Sequence, residues 1–446
     1  MHMADFNDHP IAKKVLAQAT TLAPVTPLDA GWLRQVALEA GADDIGFVSI
    51  ERPEVAAQRA DILQVLPRTR TLVSFVRRMN RDSIRTPLRS LSNVEFHHAG
   101  DDINEIGRKI ADACAARGLR AINVTMGFPM EADRWPQKMW AVSHKPVAVA
   151  AGLGQMGIHR NVIHPKFGNF ILLGTVLLDA AVNEEAKPLG YNPCLTCKLC
   201  VAACPTGAIA SDGHFDFSAC YTHNYREFMG GFGDWVENIA SSKSAEDYRS
   251  KVSDSETVSM WQSLSFGANY KAAYCLAVCP AGEDVIAPFL NKRKEFLSDI
   301  VKPLQEKQET VYVVAESDAE AYVRRRFPHK TAKRVGNGLR TRSIAGFLQG
   351  MSRRFQRGKS EGLNAVYHFQ FTGAEQASAT VQIRDKKLEV NEGLVGSADF
   401  RLIADSETWI RFLAKETNLL WALVTRKIKF RGSPRLLLQF AKCFPN

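Results

Sequence analysis

CLTCKLCVAACP, residues 194–205, decides how the middle of this chain is built. Its cysteines fall as Cys194-x2-Cys197-x2-Cys200-x3-Cys204-Pro205. This is the spacing of an iron–sulfur ligand run: three thiolates wrap three corners of one four-iron cube, and the fourth is carried past it toward a neighbouring cluster. A structural zinc site would instead set cysteines in pairs across a longer spacer.

Cross-ligation of this kind requires a second run, and NYKAAYCLAVCP (269–280) supplies part of one. Cys279 is followed by Pro280, so it matches Cys204-Pro205. The expected first cluster, a [4Fe-4S] centre, is held by Cys194, Cys197, Cys200 and Cys279. The second receives Cys204, Cys275 and the remaining local thiol, Cys220. Ala272 stands where a further thiol belongs. Two readings follow: a [3Fe-4S] centre, or a [4Fe-4S] centre whose last iron is open or takes another ligand. Loss of the second cluster would leave Cys220 and Cys275 without a task. Cys114, in a helical run, and Cys443, near the C-terminus, read as structural.

The chain has 446 residues, room for two or three domains, with 46% hydrophobic and 23% charged residues, as in a soluble globular protein. No apolar run is long enough to span a bilayer. The start, MHMADFNDHPIAKK, lacks the apolar core of a signal peptide, and Met1-His2 reads as a cloning remnant. The expected compartment is cytoplasmic, where clustered cysteines bind metal more often than they form disulfides. The net charge of +10 is uneven, since residues 321–360 contain no Asp or Glu. That block reads as a solvated basic linker, with an acidic partner, anionic lipid or nucleic acid as the other uses of such charge. Interleaved aromatics for stacking are missing from it, which argues against nucleic acid.

Residues 1–185 alternate helical and strand patterns. LDAGWLRQVALEAGA reads as a helix, DIGFVSI and TRTLVSFVRRM as strands, DDINEIGRKIADACAARG as a helix capped by Asp101 or Asp102, and LRAINVTM as a third strand. An α/β domain with a central sheet is expected. Residues 186–300 form the cysteine-rich unit. Gly230, Gly231 and Gly233 suggest a loop there, with helices after it. Residues 301–344 are the basic linker. Residues 345–446 read as an α+β domain: antiparallel strands over AVYHFQFTG, SATVQIRD, KLEVNEG and FRLIAD, a helix capped by Ser406, a second helix, a short strand and a last helix begun by Pro434.

SHKPVAVAAGLGQMGIHRNVIHPKFGNFILLGTVLLDA (143–180) reads as a helix, a Gly-rich turn, a loop and a strand. Gly152, Gly154 and Gly157 allow close backbone approach, which serves helix packing or a ligand equally well. They do not follow a strand, as a dinucleotide-binding turn would. Taken together, AGLGQMG, IHPKFGNFILLGTVL, CLTCKLCVAACPTGAI, SACYTHNYRE and CLAVCP resemble the epoxyqueuosine reductase and reductive dehalogenase superfamily over roughly residues 28–290. The resemblance implies a nitroreductase-like α/β domain binding cobalamin, and a ferredoxin-like unit whose two clusters feed it electrons. It implies a corrinoid pocket lined by Gly152, Leu153, Gly154, Gly157, Ile158, His159, His164, Gly168 and Asn169. Three departures stand out. Ala272 replaces a ligand; GIHRN replaces a Lys-Asn pair; and the acidic proton donor of epoxyqueuosine reductases has no clear match in QKMWAVSHKPVAVAAG. These argue against queuosine synthesis. The C-terminal segment, through ATVQIRDKKLEVNEG, ADFRLIADSETWIRFLA and LLWALVTRKIKFRGSPRLLLQF, resembles the sterol carrier protein 2 domain, which implies an apolar tunnel for lipid-like ligands.

The expected function is a cobalamin-dependent iron–sulfur reductase. It would take electrons from a ferredoxin, flavodoxin or reductase and act on an apolar aromatic, halogenated or lipid-like small molecule. His159, Arg160, His164 and His144 are the candidate proton donors, with His97 and His98 behind them. The alternative is an iron–sulfur electron-transfer protein without corrinoid, docking a redox partner on the basic segment. The C-terminal domain is expected to help bind the substrate, or to serve as a lid or homodimer surface.

Overall fold

A computed structural model describes residues 9–17, 27–135 and 138–445; Met1-His2 lies outside them. The first unit is built on strands β1 (Asp44–Ser49), β2 (Thr71–Arg78), β3 (Ala121–Val124) and, after a two-residue-strand hairpin of β4 (Gln155–Met156) and β5 (Val162–Ile163), β6 (Ile171–Leu178). The sheet order is β1-β2-β6-β3 and every pairing is antiparallel. Both faces are covered, which is why β2 and β6 read as near-continuous apolar runs rather than alternating ones. On one face Phe47, Val73, Phe75, Val176 and Leu178 pack against helices Ala30–Ala40 and Arg89–Ala116. On the other, Val48, Leu72, Val76 and Leu177 meet Ile62 and Val147, from helices Ala56–Val65 and His144–Ala150. Each such buried side chain contributes roughly 1.5–3 kcal/mol. The helix Ala30–Ala40 is capped by the Asp29 carboxylate and closed by Gly41 at φ 111°.

One boundary differs from the sequence reading. Asp101 and Asp102 do not open their helix; it runs unbroken from Arg89 to Ala116, with both aspartates in mid-course. The residues before them continue its buried face, through Ser92, Asn93 and Ala99. The weaker candidates His97 and His98 lie on this helix, His97 against Gly267.

In the cysteine-rich unit, Gly230, Gly231 and Gly233 lie inside a helix, Gly230–Ala240, not in a loop. A Cβ on Gly230 or Gly231 would strike the carbonyls of Asn337 or Arg226, so close packing keeps those two positions as glycine. Helices Ala245–Lys251 and Asp254–Phe266 follow, the second opened by a Ser253–Glu256 capping box.

The basic block is not a linker. Strand β7 (Thr310–Val313), helix Asp318–Arg326 and strand β8 (Thr331–Arg334) form a parallel β-α-β unit. Its Val311, Val313, Ala319 and Val323 pack against Cys200, Cys204, Ala208 and Ile209. Several of the cations that made the block look solvated are paired with carboxylates outside it. Lys330 meets Glu309 at 2.7 Å, Lys333 meets Glu256 at 2.6 Å, Arg334 meets Glu320 at 2.8 Å and Arg357 meets Asp212 at 2.5 Å; Arg340 pairs with Glu237.

The C-terminal unit is a five-stranded sheet, β9 (Ala365–Thr372), β10 (Ala377–Arg384), β11 (Lys387–Glu392), β12 (Phe400–Asp405) and β13 (Ile428–Arg431), in the order β11-β10-β9-β12-β13. β9 and β12 pair in parallel, where antiparallel neighbours were expected. Asp405 rather than Ser406 caps the helix Ser406–Leu413. Between sheet and helices stand Phe347, Tyr367, Phe369, Phe371, Trp409 and Phe440, with ring centroids 4.9–6.2 Å apart in successive pairs. Among the described residues, no helix is long and apolar enough to cross a membrane.

Candidate iron–sulfur site

Helices Leu199–Ala203 and Tyr274–Ala277 touch each other, and each carries one end of a cysteine run. Both are entered through the same backbone conformation. Lys198 has φ 55° and ψ 20°, and Ala273 has φ 55° and ψ 26°. A left-handed residue other than glycine costs roughly 1–2 kcal/mol, yet both runs adopt one just before the thiol that starts the x3-Cys-Pro stretch. Ala272 therefore occupies the place in its turn that Cys197 occupies in the first. Ala272 is buried, and its N–H donates to Asn224 Oδ1 at 3.0 Å.

Cys194, Cys197, Cys200 and Cys279 line one cavity, together with Ile158, His159, Leu195, Lys198, Pro280 and Ala281. Among the described residues, no three His, Cys, Asp or Glu side chains could hold a single metal ion. Four sulfurs around a shared hollow suit a cluster rather than an ion. Burial, then the neighbouring thiols Cys275, Cys279, Cys197 and Cys194, push Cys200 far up. Cys279 is pushed to about 12 by burial, with Cys197, Cys194 and Cys275 adding to it and the Ala281 N–H opposing. Thiols crowded in apolar surroundings resist ionising until a cation compensates them, which is what iron does. The donor set fits an iron–sulfur cluster.

Cys204, Cys220 and Cys275 form the second group. Burial raises Cys220 well above the usual thiol, with Cys275 and Cys204 as the next causes. Cys275 rises to about 12 through burial and then Cys204. Lys145, which no motif singles out, is the cation that opposes both shifts. Burial holds its ammonium below the usual lysine range, and it donates to the Arg160 carbonyl at 2.6 Å. Because Cys200 and Cys275 also bear on each other, the two thiol groups adjoin. An aromatic group flanks the second: Tyr225 lies against Tyr221, Phe228 and Tyr270 at 4.9–5.6 Å, and its phenol feels Cys220 and Cys275.

The residues expected to line a corrinoid are placed differently. A Cβ on Gly154 would meet the Ile163 carbonyl, on Gly157 the His159 ring, and on Gly168 the Ala281 carbonyl; Gly152, at φ 73°, faces the Lys187 carbonyl. These close approaches are of the chain on itself. Leu153 is core. Ile158 and His159 wall the first thiol cavity. The chain's own packing therefore accounts for the glycines of this turn.

Of the candidate proton donors, His144 is enclosed, with Nδ1 2.9 Å from Thr175 Oγ1 and Nε2 2.9 Å from the Thr125 carbonyl. Burial lowers its pKa. His164 is buried and contacts Asp44 at 3.1 Å. Arg160 is exposed, at φ 64°. His159 is the one beside the thiols. Burial, with Lys145 adding to it, lowers it to about 4, so its ring is neutral. The Asn161 N–H donates to Nδ1 at 3.1 Å, which leaves the proton on Nε2. Asn169 lies 3.3 Å from Nε2 through its amide nitrogen while its Oδ1 is buried without a partner. Turning that amide over lets Oδ1 accept the Nε2–H and satisfies both groups.

Residues 348–445 match the SCP-2 sterol transfer family. Over 168 residues the chain is 27% identical to epoxyqueuosine reductase of Gloeobacter violaceus, covering 37% of this chain and 50% of that protein. The Synechococcus enzyme is 30% identical over 152 residues, 32% of this chain and 42% of the enzyme. The Vibrio cholerae enzyme is 32% identical over 91 residues, 20% and 24%. The chain therefore spans half or less of the length of these curated relatives. Among solved structures, a reductive dehalogenase aligns at 14% identity over 64% of this chain and 37% of its own, with a TM-score of 0.38. An epoxyqueuosine reductase with a tRNA-Tyr stem loop aligns at 18%, over 43% and 56%, with a TM-score of 0.32. Over part of its length the chain is similar to epoxyqueuosine reductases. At its C-terminal end it carries a sterol-carrier-type segment that accounts for the separate aromatic core described above.

Proposed function

We propose that this chain is an iron–sulfur reductase of the cobalamin-dependent type, acting on an apolar small molecule of aromatic, halogenated or lipid-like character. The observation that carries the reading is the cavity shared by Cys194, Cys197, Cys200 and Cys279, three thiols from one run and one from another. Cys204, Cys220 and Cys275 are the ligands of the second cluster, of [3Fe-4S] or open [4Fe-4S] type. The adjoining thiol groups give electrons from an external donor such as a ferredoxin or flavodoxin a short path through the protein. Lys145 offsets the negative charge at the second cluster, and the surrounding aromatics exclude water from it. The similarity to epoxyqueuosine reductases supports a reductase; the departures in this sequence support a substrate other than epoxyqueuosine.

Cobalamin would supply low-valent cobalt to reduce the substrate. At the turn expected to hold it, the glycines pack against the chain's own carbonyls and the His159 ring. That packing is also the one observation favouring the second reading, an electron-transfer protein without corrinoid. Anaerobic purification with iron, sulfide and cobalt analysis tests both. Iron and sulfide in cluster ratio, with stoichiometric uptake of hydroxocobalamin, is the expected result. Clusters with no cobalamin uptake would leave the electron-transfer reading, and a chain without sulfide would sink both.

A further inference from the structure

Two arginines of the basic block that its ion pairs do not absorb, Arg342 and Arg354, line one cleft, with Arg353 beside them. It has a volume of about 180 Å³ and is lined by Trp135, Lys138, Arg342 and Ser343 and by the helix Ile344–Arg354 through Gly346, Gln349, Arg353 and Arg354. No aspartate or glutamate is among its lining residues. Lys138 is already paired with Asp61. Arg342 is exposed. Arg354 is only 8% exposed. Among the described residues, neither Arg342 nor Arg354 has a hydrogen-bond or ion-pair partner on its guanidinium.

A largely buried guanidinium with no acidic neighbour is costly, and one that lines a cleft is placed to take an anion from solvent. Consistent with this, burial alone accounts for the lowering of the Arg354 pKa, with no acidic neighbour to oppose it. Two guanidiniums offer planar forks that match phosphate oxygens, and their joint charge matches the roughly −1.5 to −2 of a phosphate monoester at neutral pH. The indole of Trp135 forms part of the wall and also contacts Tyr221, at 6.4 Å between ring centroids. A recess with one buried cation at its lining suits the terminal group of a small molecule. It does not suit a nucleic-acid backbone, which needs an open track of cations.

We infer that this cleft is a binding site for a small organic phosphate, held by Arg354 and Arg342 with an apolar or aromatic body against Trp135. The site is separate from the thiol cavity and its occupancy does not depend on the clusters.

The test is calorimetric titration of the full chain with phenyl phosphate, with inorganic phosphate as competitor and benzoate as a monoanionic control. Saturable one-to-one binding is expected, displaced by phosphate and weaker for benzoate. Arg342→Ala, an exposed change that leaves the core alone, and Arg354→Met, which replaces a buried charge by an apolar chain, should each weaken binding about tenfold or more. Vesicles of phosphatidylcholine with phosphatidic acid identify the source of the phosphate. Arg342-dependent co-sedimentation assigns it to a lipid headgroup, and phenyl phosphate binding without vesicle binding assigns it to a soluble ester. No saturable binding of phenyl phosphate, or binding unchanged in both variants, would overturn the proposal. So would Arg342-dependent binding of an RNA stem loop that phenyl phosphate does not displace.

Discussion

Substituting Gly168 by Ala tests whether the glycines near the cluster run serve the chain's own packing. Gly168 has φ 65°, and a Cβ there would fall on the Ala281 carbonyl, two residues after Cys279. Gly282, at φ 111°, faces the Gly168 backbone in return. Hydrogen bonds reinforce the interlock: the Glu283 N–H donates to the Pro165 carbonyl at 2.9 Å, and the Asp284 N–H to that of Lys166 at 3.0 Å. A positive φ alone costs alanine roughly 1–2 kcal/mol. Gly213 supplies the control, since it has φ 87° and nothing within 4 Å of its Cβ position. Gly213→Ala should lose only that amount, a fall of a few degrees in Tm, and keep its iron. Gly168→Ala should lose roughly a further 1–3 kcal/mol from overpacking. Because the strain is relieved by moving the segment that carries Cys279, it should also lose about four irons per chain, those of one cluster. Thermal unfolding and iron and sulfide analysis of anaerobically purified protein read both effects. Gly168→Ala matching Gly213→Ala in stability and iron would refute the packing argument. A loss of cobalt uptake with iron intact would assign the glycine to a corrinoid instead.

Ala272→Cys should supply the missing thiol, since Ala272 stands in the turn as Cys197 does. The expected change is about one additional iron per chain and loss of any three-iron EPR signal from the oxidised protein; unchanged iron would show that this position does not face the second cluster. Asp216, whose carboxyl caps the helix bearing Cys220, is raised to about 6, chiefly by burial. Its folded form therefore holds a proton that the unfolded chain has released, so its contribution to stability falls as pH rises from about 4 to 6 and is level above that. Asp216→Asn should remove that slope from the wild-type-minus-variant difference in Tm and match or exceed the wild type at pH 8; a difference independent of pH would count against the shift.

Much of the site was legible because iron–sulfur ligation is written in local spacing. The Cys-x2-Cys-x2-Cys-x3-Cys-Pro run and its partner pointed to the two thiol groups that the structure brings together. The strands of the C-terminal unit were legible for a similar reason, alternation along β9, β10 and β12 being a local signal. What failed was long-range in each case. The basic block looked like a linker because its carboxylate partners, Glu256, Glu237 and Asp212, are distant in sequence. At the Gly-rich turn, spacing does not record which atoms meet the space a glycine leaves, here the Lys187 and Ile163 carbonyls and the His159 ring. Lys145 carried no motif at all.

The sequence by itself determined the identity, number and spacing of the thiols, the alanine at 272 and the similarity to the reductases over part of the chain. These depend on residue type and on separations of a few positions. Only the tertiary structure decided that the sheet beneath the site is antiparallel with both faces covered, and that the glycine turn is closed on Lys187, Ile163 and Ala281. It alone left Arg342 and Arg354 without partners beside Trp135. Those outcomes are fixed by which distant segments share space, and a chain's local pattern does not encode that pairing directly.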